Sequence, residues 1–383
     1  MSYYNSFYKK TARIMIVVCG LLFSVFSFVY LYVFQREVLE ALHYSLAHGK
    51  TRFAPVASAI VITLILLLVR WGMNSMLGLK GSIRALSYVP SFLMLCALTD
   101  VGRNVYISSF HSCWPWLLPL LIAVFIAVAY WLRRTFRVQL NREGSVMGVV
   151  NGNLFIILAL CVATVLCGNT DRAFHHELQA EHYLHNHAYD KALHVGEKSL
   201  EATRTLTALR TMAMARTGTM GERLFDYPQY YRSDGLFFAD DSLETLRYTN
   251  DSVYSLLGAE PYEGEGRTAF LRNICYKGTG KHISLDYYLS ALLLDKNLEG
   301  FAVAVSDFYE EEDTLPRFYR EAMTLYQSLH ADSAFAVRDT ACLRRFMEYR
   351  EKEKEYTASA KERENWMRRH YGNTYWWYFD YQN

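Results

Sequence analysis

The sequence predicts an all-α protein, in which a polytopic bundle of about five transmembrane helices precedes a water-facing domain of α-helical hairpins. Residues 1–168 hold long apolar runs with few charges, whereas residues 169–383 hold most of the Asp, Glu, Lys and Arg. In the second part, apolar residues recur at the spacing of amphipathic helices. The alternation of apolar and polar residues that is typical of strands is not sustained anywhere in the sequence. We therefore expect two domains, residues 1–168 and 169–383.

Five apolar segments are the predicted membrane spans, because a helix needs roughly 20 mostly apolar residues to cross the hydrocarbon core. The first follows Lys9, Lys10 and Arg13 and is longer than the roughly 7–15 residues of a signal-peptide core. No small-residue cleavage site closes it, so we expect a retained helix. The third segment is shorter than the others and contains Pro90. The predicted spans are residues 14–34, 54–71, 85–100, 114–132 and 146–167.

The Lys and Arg residues near the ends of the spans predict the orientation, because positive charges favour the cytoplasmic side. With the N-terminus in the cytoplasm, ten of them lie inside and four outside. The odd number of spans then places residues 169–383 outside the cytoplasm. The ten are Lys9, Lys10, Arg13, Arg70, Lys80, Arg84, Arg133, Arg134, Arg137 and Arg142, and the four are Arg36, Lys50, Arg52 and Arg103.

Asp100 and Arg103 lie three residues apart near the outer end of the third span and form a candidate intramembrane polar pair. A buried ion pair at this place would mark a transport or catalytic site. The alternative, which the sequence favours, is an ion pair at the membrane interface. Arg70, beside Trp71, is interpreted as an inner-leaflet anchor whose side chain reaches toward the lipid head groups.

Residues 177–200 predict two amphipathic helices joined by a tight turn. Ala180, Tyr183 and Ala192 stand at the spacing of a tetratricopeptide-like repeat, which this stretch resembles, although Gly196 stands where a larger aromatic residue is usual. Helical pairs recur further along the chain, and stacked hairpins present a groove. The candidate partner-binding residues of this groove are Tyr183, Tyr189, Arg210, Tyr287 and Tyr288.

Residues 346–369 predict one charged helix with interleaved Glu and Lys, and Gly372 is its expected end. The aromatic cluster that follows has two interpretations. Either the rings fill the groove of the last helical pair, or they lie at the membrane surface or receive a partner. Cys275 and Cys342, the two cysteines of this half, could pair in an oxidising compartment. The aromatic cluster comprises Tyr375, Trp376, Trp377, Tyr378, Phe379 and Tyr381.

Composition and motifs disfavour several function classes. The net charge of +2 is too small and too dispersed for a nucleic-acid surface. No GxGxxG, GxxxxGK[ST] or GxSxG motif is present, so the sequence predicts neither a cofactor nor a catalytic residue. Six histidines cluster without the order of an HExxH site, and we interpret them as a solvated helix face, not as metal ligands. They are His175, His176, His182, His185, His187 and His194.

The multi-span start is followed by the phrases YDKAL with EKSLEATRTLTALR, GERLFDYPQ, YYLSALLLDKNLEGF, LPRFYREAMTLY and NTYWWYFDY. In this combination the chain resembles an uncharacterised family of Bacteroidota membrane proteins, a domain of unknown function with a repeat-like exported part. The resemblance implies no activity. It implies a Gram-negative cell, in which the chain is a multi-pass inner-membrane protein and residues 169–383 face the periplasm.

Asp-Ser/Thr-aliphatic triplets in the second half resemble the O-glycosylation acceptor pattern of exported Bacteroidota proteins. The alternative is that these polar residues start helices as N-caps. An intact mass measurement on protein from native membranes tests for the modification. The candidate acceptors are Ser242, Ser252, Thr314, Ser333 and Thr340.

The leading functional hypothesis is a membrane-anchored interaction or scaffold protein, with the lipid bilayer and an envelope protein or peptide as partners. The alternative is a polytopic membrane enzyme or transporter that has its site among the spans and an accessory exported domain. The sequence favours a role without catalysis.

Overall fold

The computed structural model is 77% helical and contains no strand among the residues that it describes. The all-α prediction is therefore confirmed. The chain forms two compact units, residues 1–175 and 176–383, each of which is described by itself. The described residues are 2–107, 113–135, 146–240, 245–310, 314–330, 339–355 and 359–382.

Among the residues that the structure describes, the first unit contains five helices that are long and apolar enough to cross a membrane. They coincide with the predicted spans, and much of their apolar surface points outward: Trp116 is 87% exposed, Leu166 76% and Phe155 72%. An apolar surface of this extent is favourable in lipid and unfavourable in water. The chain is therefore a membrane protein. The five helices are Phe7–Phe34, Pro55–Leu77, Gly81–Thr99, Trp114–Trp131 and Val146–Cys167.

Local sequence explains where several of these helices begin and end. Pro55 begins the second span, where its missing N–H has no helical partner to lose. Gly78 ends that helix at φ +58°, a left-handed conformation that favours glycine. The third span starts as a 3-10 helix and continues as an α-helix, so that Pro90 lies in a first turn and interrupts no hydrogen bond. The elements are α1 (Ser2–Val29, continued by a π-helical turn at Tyr30–Phe34), α2 (Arg36–Ala47), α3 (Pro55–Leu77), a 3-10 helix (Gly81–Tyr88), α4 (Val89–Thr99), a second 3-10 helix (Arg103–Ile107), α5 (Trp114–Thr135) and α6 (Val146–Cys167).

Helix α6 packs closely against the 3-10 helix that opens the third span. Gly152 permits the close approach, since a Cβ atom on it would lie 2.8 Å from the backbone oxygen of Ser82. Next to it, the side chain of Asn153 donates a hydrogen bond to the Gly81 carbonyl at 2.9 Å and accepts one from the Ala85 amide at 2.8 Å. A polar clamp thus pairs backbone groups of the 3-10 helix in surroundings where unpaired ones are costly.

The second unit is built from short helices around a continuous hydrophobic core. The pair of helices predicted in residues 177–200 is present, but its second helix has only 6 residues. Ala180 and Ala192 are fully buried. Gly196 has φ +60°, and a Cβ atom on it would lie 2.8 Å from the His176 ring, which explains why no aromatic residue stands there. From Arg172 onward the α-helices are α7 (Arg172–His185), α8 (Tyr189–His194), α9 (Arg204–Thr217), α10 (Met220–Arg223), α11 (Asn250–Leu257), α12 (Arg267–Tyr276), α13 (Ile283–Leu294), α14 (Leu298–Phe308), α15 (Arg317–Leu329), α16 (Thr340–Glu355), α17 (Ala360–Tyr371) and α18 (Tyr375–Tyr381).

The prediction of one helix over residues 346–369 is wrong. The structure has α16 and α17 in its place, and the side chain of Ser359 accepts a hydrogen bond from the Glu362 amide at the start of α17. Ser359 is a favourable N-cap, a signal that the continuous run of charged residues concealed. Gly372 follows the end of α17 as expected, in a right-handed conformation with φ −61°.

The C-terminal aromatic residues form the buried helix α18, which confirms the interpretation that they fill a groove. Trp376 is fully buried, and its indole N–H donates to the Glu321 carbonyl at 2.7 Å. The Tyr378 hydroxyl donates to the Leu294 carbonyl at 2.6 Å. Helix α18 therefore closes the core against α13 and α15, with the polar ends of its rings paired.

Replacing Gly152 by alanine is expected to destabilise the protein, because the new methyl group meets a backbone oxygen that moves only if the 3-10 helix shifts. Overpacking of this kind costs about 1–3 kcal/mol. Thermal unfolding of the full chain in detergent checks the prediction. Gly72→Ala is the matched control, because a Cβ atom there meets nothing within 4 Å. Equal melting temperatures for the two variants would contradict the role given to Gly152.

Candidate functional site

The structure gives separate partners to the two residues of the candidate intramembrane pair. Asp100 accepts a hydrogen bond from the Trp114 indole at 2.8 Å, and Arg103 forms an ion pair with Asp171 at 2.5 Å. The side chains of Arg103 and Asp171 are 45% and 41% exposed, as at a membrane interface. Partial burial alone would raise the pKa of Asp171, but the Phe174 amide and Arg103 together lower it. Both contacts lie within the first unit, where one joins Asp171 to the second 3-10 helix and the other joins Asp100 to the start of α5.

Three of the five candidate groove residues are buried in the core and do not line an open groove, which corrects the prediction for these three. Arg210, Tyr287 and Tyr288 are buried at 1%, 0% and 4% exposure, and Tyr183 and Tyr189 pack partly buried against the same core. Burial also lowers the pKa of the Arg210 guanidinium to about 10, because the charged form is poorly solvated in the core.

Arg210 is held by contacts inside the second unit. Its guanidinium donates to the Val195 carbonyl at 2.6 Å and lies 4.6 Å from the ring centre of Tyr227. Arginine side chains are mostly exposed in proteins, so the sequence provides no reason to expect that Arg210 is buried. Arg210 thus belongs to the core.

The histidines make local hydrogen bonds. His187 contacts the Tyr189 hydroxyl at 2.8 Å, and His194 contacts the Asp190 carbonyl at 2.6 Å, both through Nδ1. Within the described residues, no group of three or more His, Cys, Asp and Glu side chains is placed to hold a metal ion. Cys275 and Cys342 are free thiols, and burial raises the pKa of both, that of Cys275 to about 12.

The candidate glycosylation residues differ in their accessibility. Thr314 and Thr340 are exposed. Ser252 lies in the first turn of α11, where it forms a capping box with Thr249. Ser242 and Ser333 lie outside the described residues. The modification itself stays a prediction, with Thr314 and Thr340 as its accessible acceptors.

A small cavity at one end of the spans, which we call the basic cavity, brings together residues that the sequence did not associate. It has a volume of about 20 Å³ and lies between the start of α1, the end of α3, the first 3-10 helix and the start of α6. Its polar lining residues are Cys19, Arg70, Arg84, Tyr88 and Asn153.

The side chains of the basic cavity carry unused hydrogen-bond donors. The guanidinium of Arg70 lies 4.8 Å from the ring centre of Tyr88, whose side chain is only 1% exposed. Among the described residues, the buried Nε atoms of Arg70 and Arg84 and the Tyr88 hydroxyl have no hydrogen-bond partner. The guanidinium of Arg70 thus stacks on a buried ring, a contact that its interpretation as a snorkelling anchor did not include.

The Asn153 clamp positions half of the basic cavity. By fixing the 3-10 helix against α6, it sets the place of Arg84 and Tyr88, which project from that helix. The ring of Tyr88 is in turn held by Phe23 at 4.9 Å between centroids. The sequence alone did not associate Arg70 with Arg84 and Tyr88. These residues belong to different spans, and only the packing of the spans brings them together.

The profile of DUF6057, a family of unknown function, matches residues 4–259 and 265–382. The chain belongs to this family. The DUF6057 match covers nearly the whole chain and confirms the expectation of an uncharacterised family. No curated protein and no solved structure matches the chain. The matched ranges include residues of both units.

Several carboxyl groups of the second unit are buried among apolar side chains. Asp286 accepts a hydrogen bond from the Tyr319 hydroxyl at 3.3 Å, and burial raises its pKa. Glu321 accepts from the Tyr375 amide at 2.8 Å and pairs with Arg317 at 3.1 Å, yet burial still raises its pKa. Such groups bind a proton more tightly in the folded than in the unfolded chain.

Asp286→Asn is therefore expected to raise the melting temperature at pH 8. The carboxyl of Asp286 stabilises the folded state when protonated, below its unfolded pKa, and this contribution is lost as the pH rises through the raised folded pKa. The asparagine side chain does not ionise, so the variant does not lose stability in this way as the pH rises. Thermal unfolding at pH 5 and pH 8 checks it, where 1 kcal/mol corresponds to about 2–4 °C.

The advantage of Asp286→Asn should shrink as the pH falls toward 5. Glu263→Gln serves as the control, since Glu263 is exposed in the same unit and its replacement should leave the melting temperature unchanged at both pH values. A constant effect of Asp286→Asn across the two pH values would refute the assignment.

Proposed function

We propose that the protein is a multi-pass protein of the inner membrane whose second unit faces the periplasm and serves as an interaction module. The orientation is supported by the ten Lys and Arg residues at one end of the spans against four at the other. The five spans, an odd number, carry the chain across the membrane. The Gram-negative setting rests on the family resemblance.

The observation that carries the interaction role is a set of exposed apolar side chains on three consecutive helices, which we call the apolar surface. Val303 on α14 is 59% exposed, Leu329 on α15 56%, and Leu343 and Met347 on α16 46% and 61%. Helix α15 packs against both α14 and α16. Exposed apolar side chains on helices that pack together are candidates for a contact surface.

Helix α16 shows that the apolar surface is separate from the core. Its inward side chains, Phe346 and Tyr349, are buried at 5% and 0% exposure. Leu343 and Met347 lie one turn apart on another face. Folding of the second unit therefore does not account for them, and an envelope protein or peptide with apolar anchors is the partner that fits.

The helical-hairpin character of the second unit supports the same role. Ala180 and Ala192, the small residues of the tetratricopeptide-like pattern, are fully buried, as expected for two helices in close contact. Stacked hairpins commonly serve as binding scaffolds.

The orientation is tested with two reporter fusions. Alkaline phosphatase fused after Gln382 should be active, because this enzyme folds only outside the cytoplasm. The same reporter fused after Arg142, in the connection between the fourth and fifth spans, is the matched control and should be inactive. The reverse pattern of activities would place the second unit in the cytoplasm and end the proposal of a periplasmic module.

The apolar surface is tested by photo-crosslinking in native membranes. A photoreactive amino acid at Met347 should give one discrete adduct with a partner, because this side chain projects from the surface. The control position is Tyr262, an aromatic residue of the same unit that is 76% exposed, where no discrete adduct is expected.

A photoreactive amino acid at Val303 should also give an adduct, and Leu343→Gln combined with Met347→Gln should abolish it. The melting temperature should not change, because Leu343 and Met347 are exposed. Adducts of equal yield at Met347 and Tyr262, or an adduct indifferent to the double substitution, would show that the apolar surface is not the interface.

A further inference from the structure

We propose that the basic cavity binds a phosphate group, with one phosphate oxygen placed among the Tyr88 hydroxyl and the Nε atoms of Arg70 and Arg84. This site lies in the first unit and does not depend on the interaction role of the second.

The charge of the cavity requires an anion. Two guanidinium groups line it, and they lie close enough for their charges to repel each other. None of the described lining residues is acidic. In the sequence, the segments 1–13, 70–84 and 133–145 together contain ten Lys and Arg and one acidic residue, Glu143. Partly buried positive charges without a counter-charge are unfavourable, so an anion from outside the chain completes the site.

The hydrogen-bonding pattern specifies an acceptor. The Nε–H groups of Arg70 and Arg84 and the Tyr88 hydroxyl are available donors. The side-chain N–H groups of Asn153 already donate to Gly81 and Val149, and its oxygen accepts from Ala85. The cavity thus has free hydrogen-bond donors on its arginine and tyrosine side chains, while the side-chain amide of Asn153 is already hydrogen-bonded within the protein. Phosphate oxygens accept several such bonds, and arginine pairs with them strongly.

The size of the cavity limits how the anion enters. A volume of about 20 Å³ exceeds the roughly 10–15 Å³ that one water needs, so one oxygen atom fits and a whole phosphate does not. Arg70 and Arg84 are half-buried, so the remaining phosphate oxygens stay at the surface beside them.

The apolar part of the lining suits a phosphate that is attached to a lipid. Ala12, Met15 and Ile16 of α1 border the cavity, and the next turns of α1 expose Val17 and Leu21 at 69% and 61%. A head group in the cavity would leave its acyl chains along this apolar helix face. A phospholipid head group and free phosphate share the chemistry that the cavity recognises, and the experiment separates them.

The test follows thermal unfolding of the full chain in dodecyl maltoside, a detergent without phosphate. Phosphatidylglycerol, diacylglycerol, inorganic phosphate and chloride are added separately, with the ionic strength held equal. We expect a saturable rise of the melting temperature with phosphatidylglycerol, with inorganic phosphate, or with both. A rise with the phospholipid alone identifies a lipid head group as the ligand, and a rise with phosphate alone identifies free phosphate. An equal rise with diacylglycerol or chloride, or no saturable rise at all, overturns the proposal.

Two pairs of substitutions locate the effect. Arg70→Gln with Arg84→Gln removes two charges from the cavity, whereas Lys10→Gln with Arg13→Gln removes two exposed charges at the same end of the spans. The half-saturating concentration should rise about tenfold or more for the first pair and stay within about twofold for the second. An equal rise for both pairs would show unspecific attraction to a basic surface and refute the site.

Tyr88→Phe keeps the ring that holds Arg70 and removes only the hydroxyl. This variant tests the phosphate site even if the double variant Arg70→Gln with Arg84→Gln does not fold. Loss of one charge-assisted hydrogen bond should raise the half-saturating concentration by about tenfold. An unchanged value for Tyr88→Phe would overturn the placement of the phosphate oxygen.

Discussion

The polar clamp between Asn153 and the first 3-10 helix is the interaction on which the membrane unit depends. A backbone that leaves the α-helical pattern among apolar spans must still pair its N–H and C=O groups. Asn153 pairs two of them, at Gly81 and Ala85. Gly152 is the steric half of the same arrangement, because any larger residue would hold the two backbones apart. Together they allow a short third span with a proline in it to pack as tightly as a regular helix.

The two ends of the span unit differ in their electrostatics. At one end Arg103 is neutralised by Asp171, and Asp100 accepts from Trp114. At the other end lie Arg70 and Arg84, with no acidic residue among the described residues that line their cavity. Charges that are compensated inside the chain stabilise it, whereas donors left open are positions where something else can bind. The proposed phosphate site therefore lies at the basic end of this unit.

The second unit completes its own core with the end of the chain. Helix α18 brings Trp376 and Tyr378 onto α13 and α15, and the Tyr349 hydroxyl bonds Asp380 at 2.6 Å. These aromatic residues, which the sequence also allowed as a partner-binding site, are therefore buried in the core of the second unit. The side chains of the apolar surface on α14, α15 and α16 remain 46–61% exposed. On α16, the buried side chains Phe346 and Tyr349 thus alternate with the exposed side chains Leu343 and Met347.

The sequence by itself determined the helical class, the five spans and the burial of the small residues Ala180 and Ala192. The hydropathy of a span and the helical spacing of apolar residues are local properties of the sequence, so they can be recognised without knowing the tertiary structure. Tertiary structure alone decided that Arg210, Tyr287 and Tyr288 are core residues and that Arg70 stacks on the ring of Tyr88. Each of these depends on which distant segment packs against the residue. Helix α9 shows the reason: residues 205–215 are buried on every side, so its periodicity could not reveal which face would meet water.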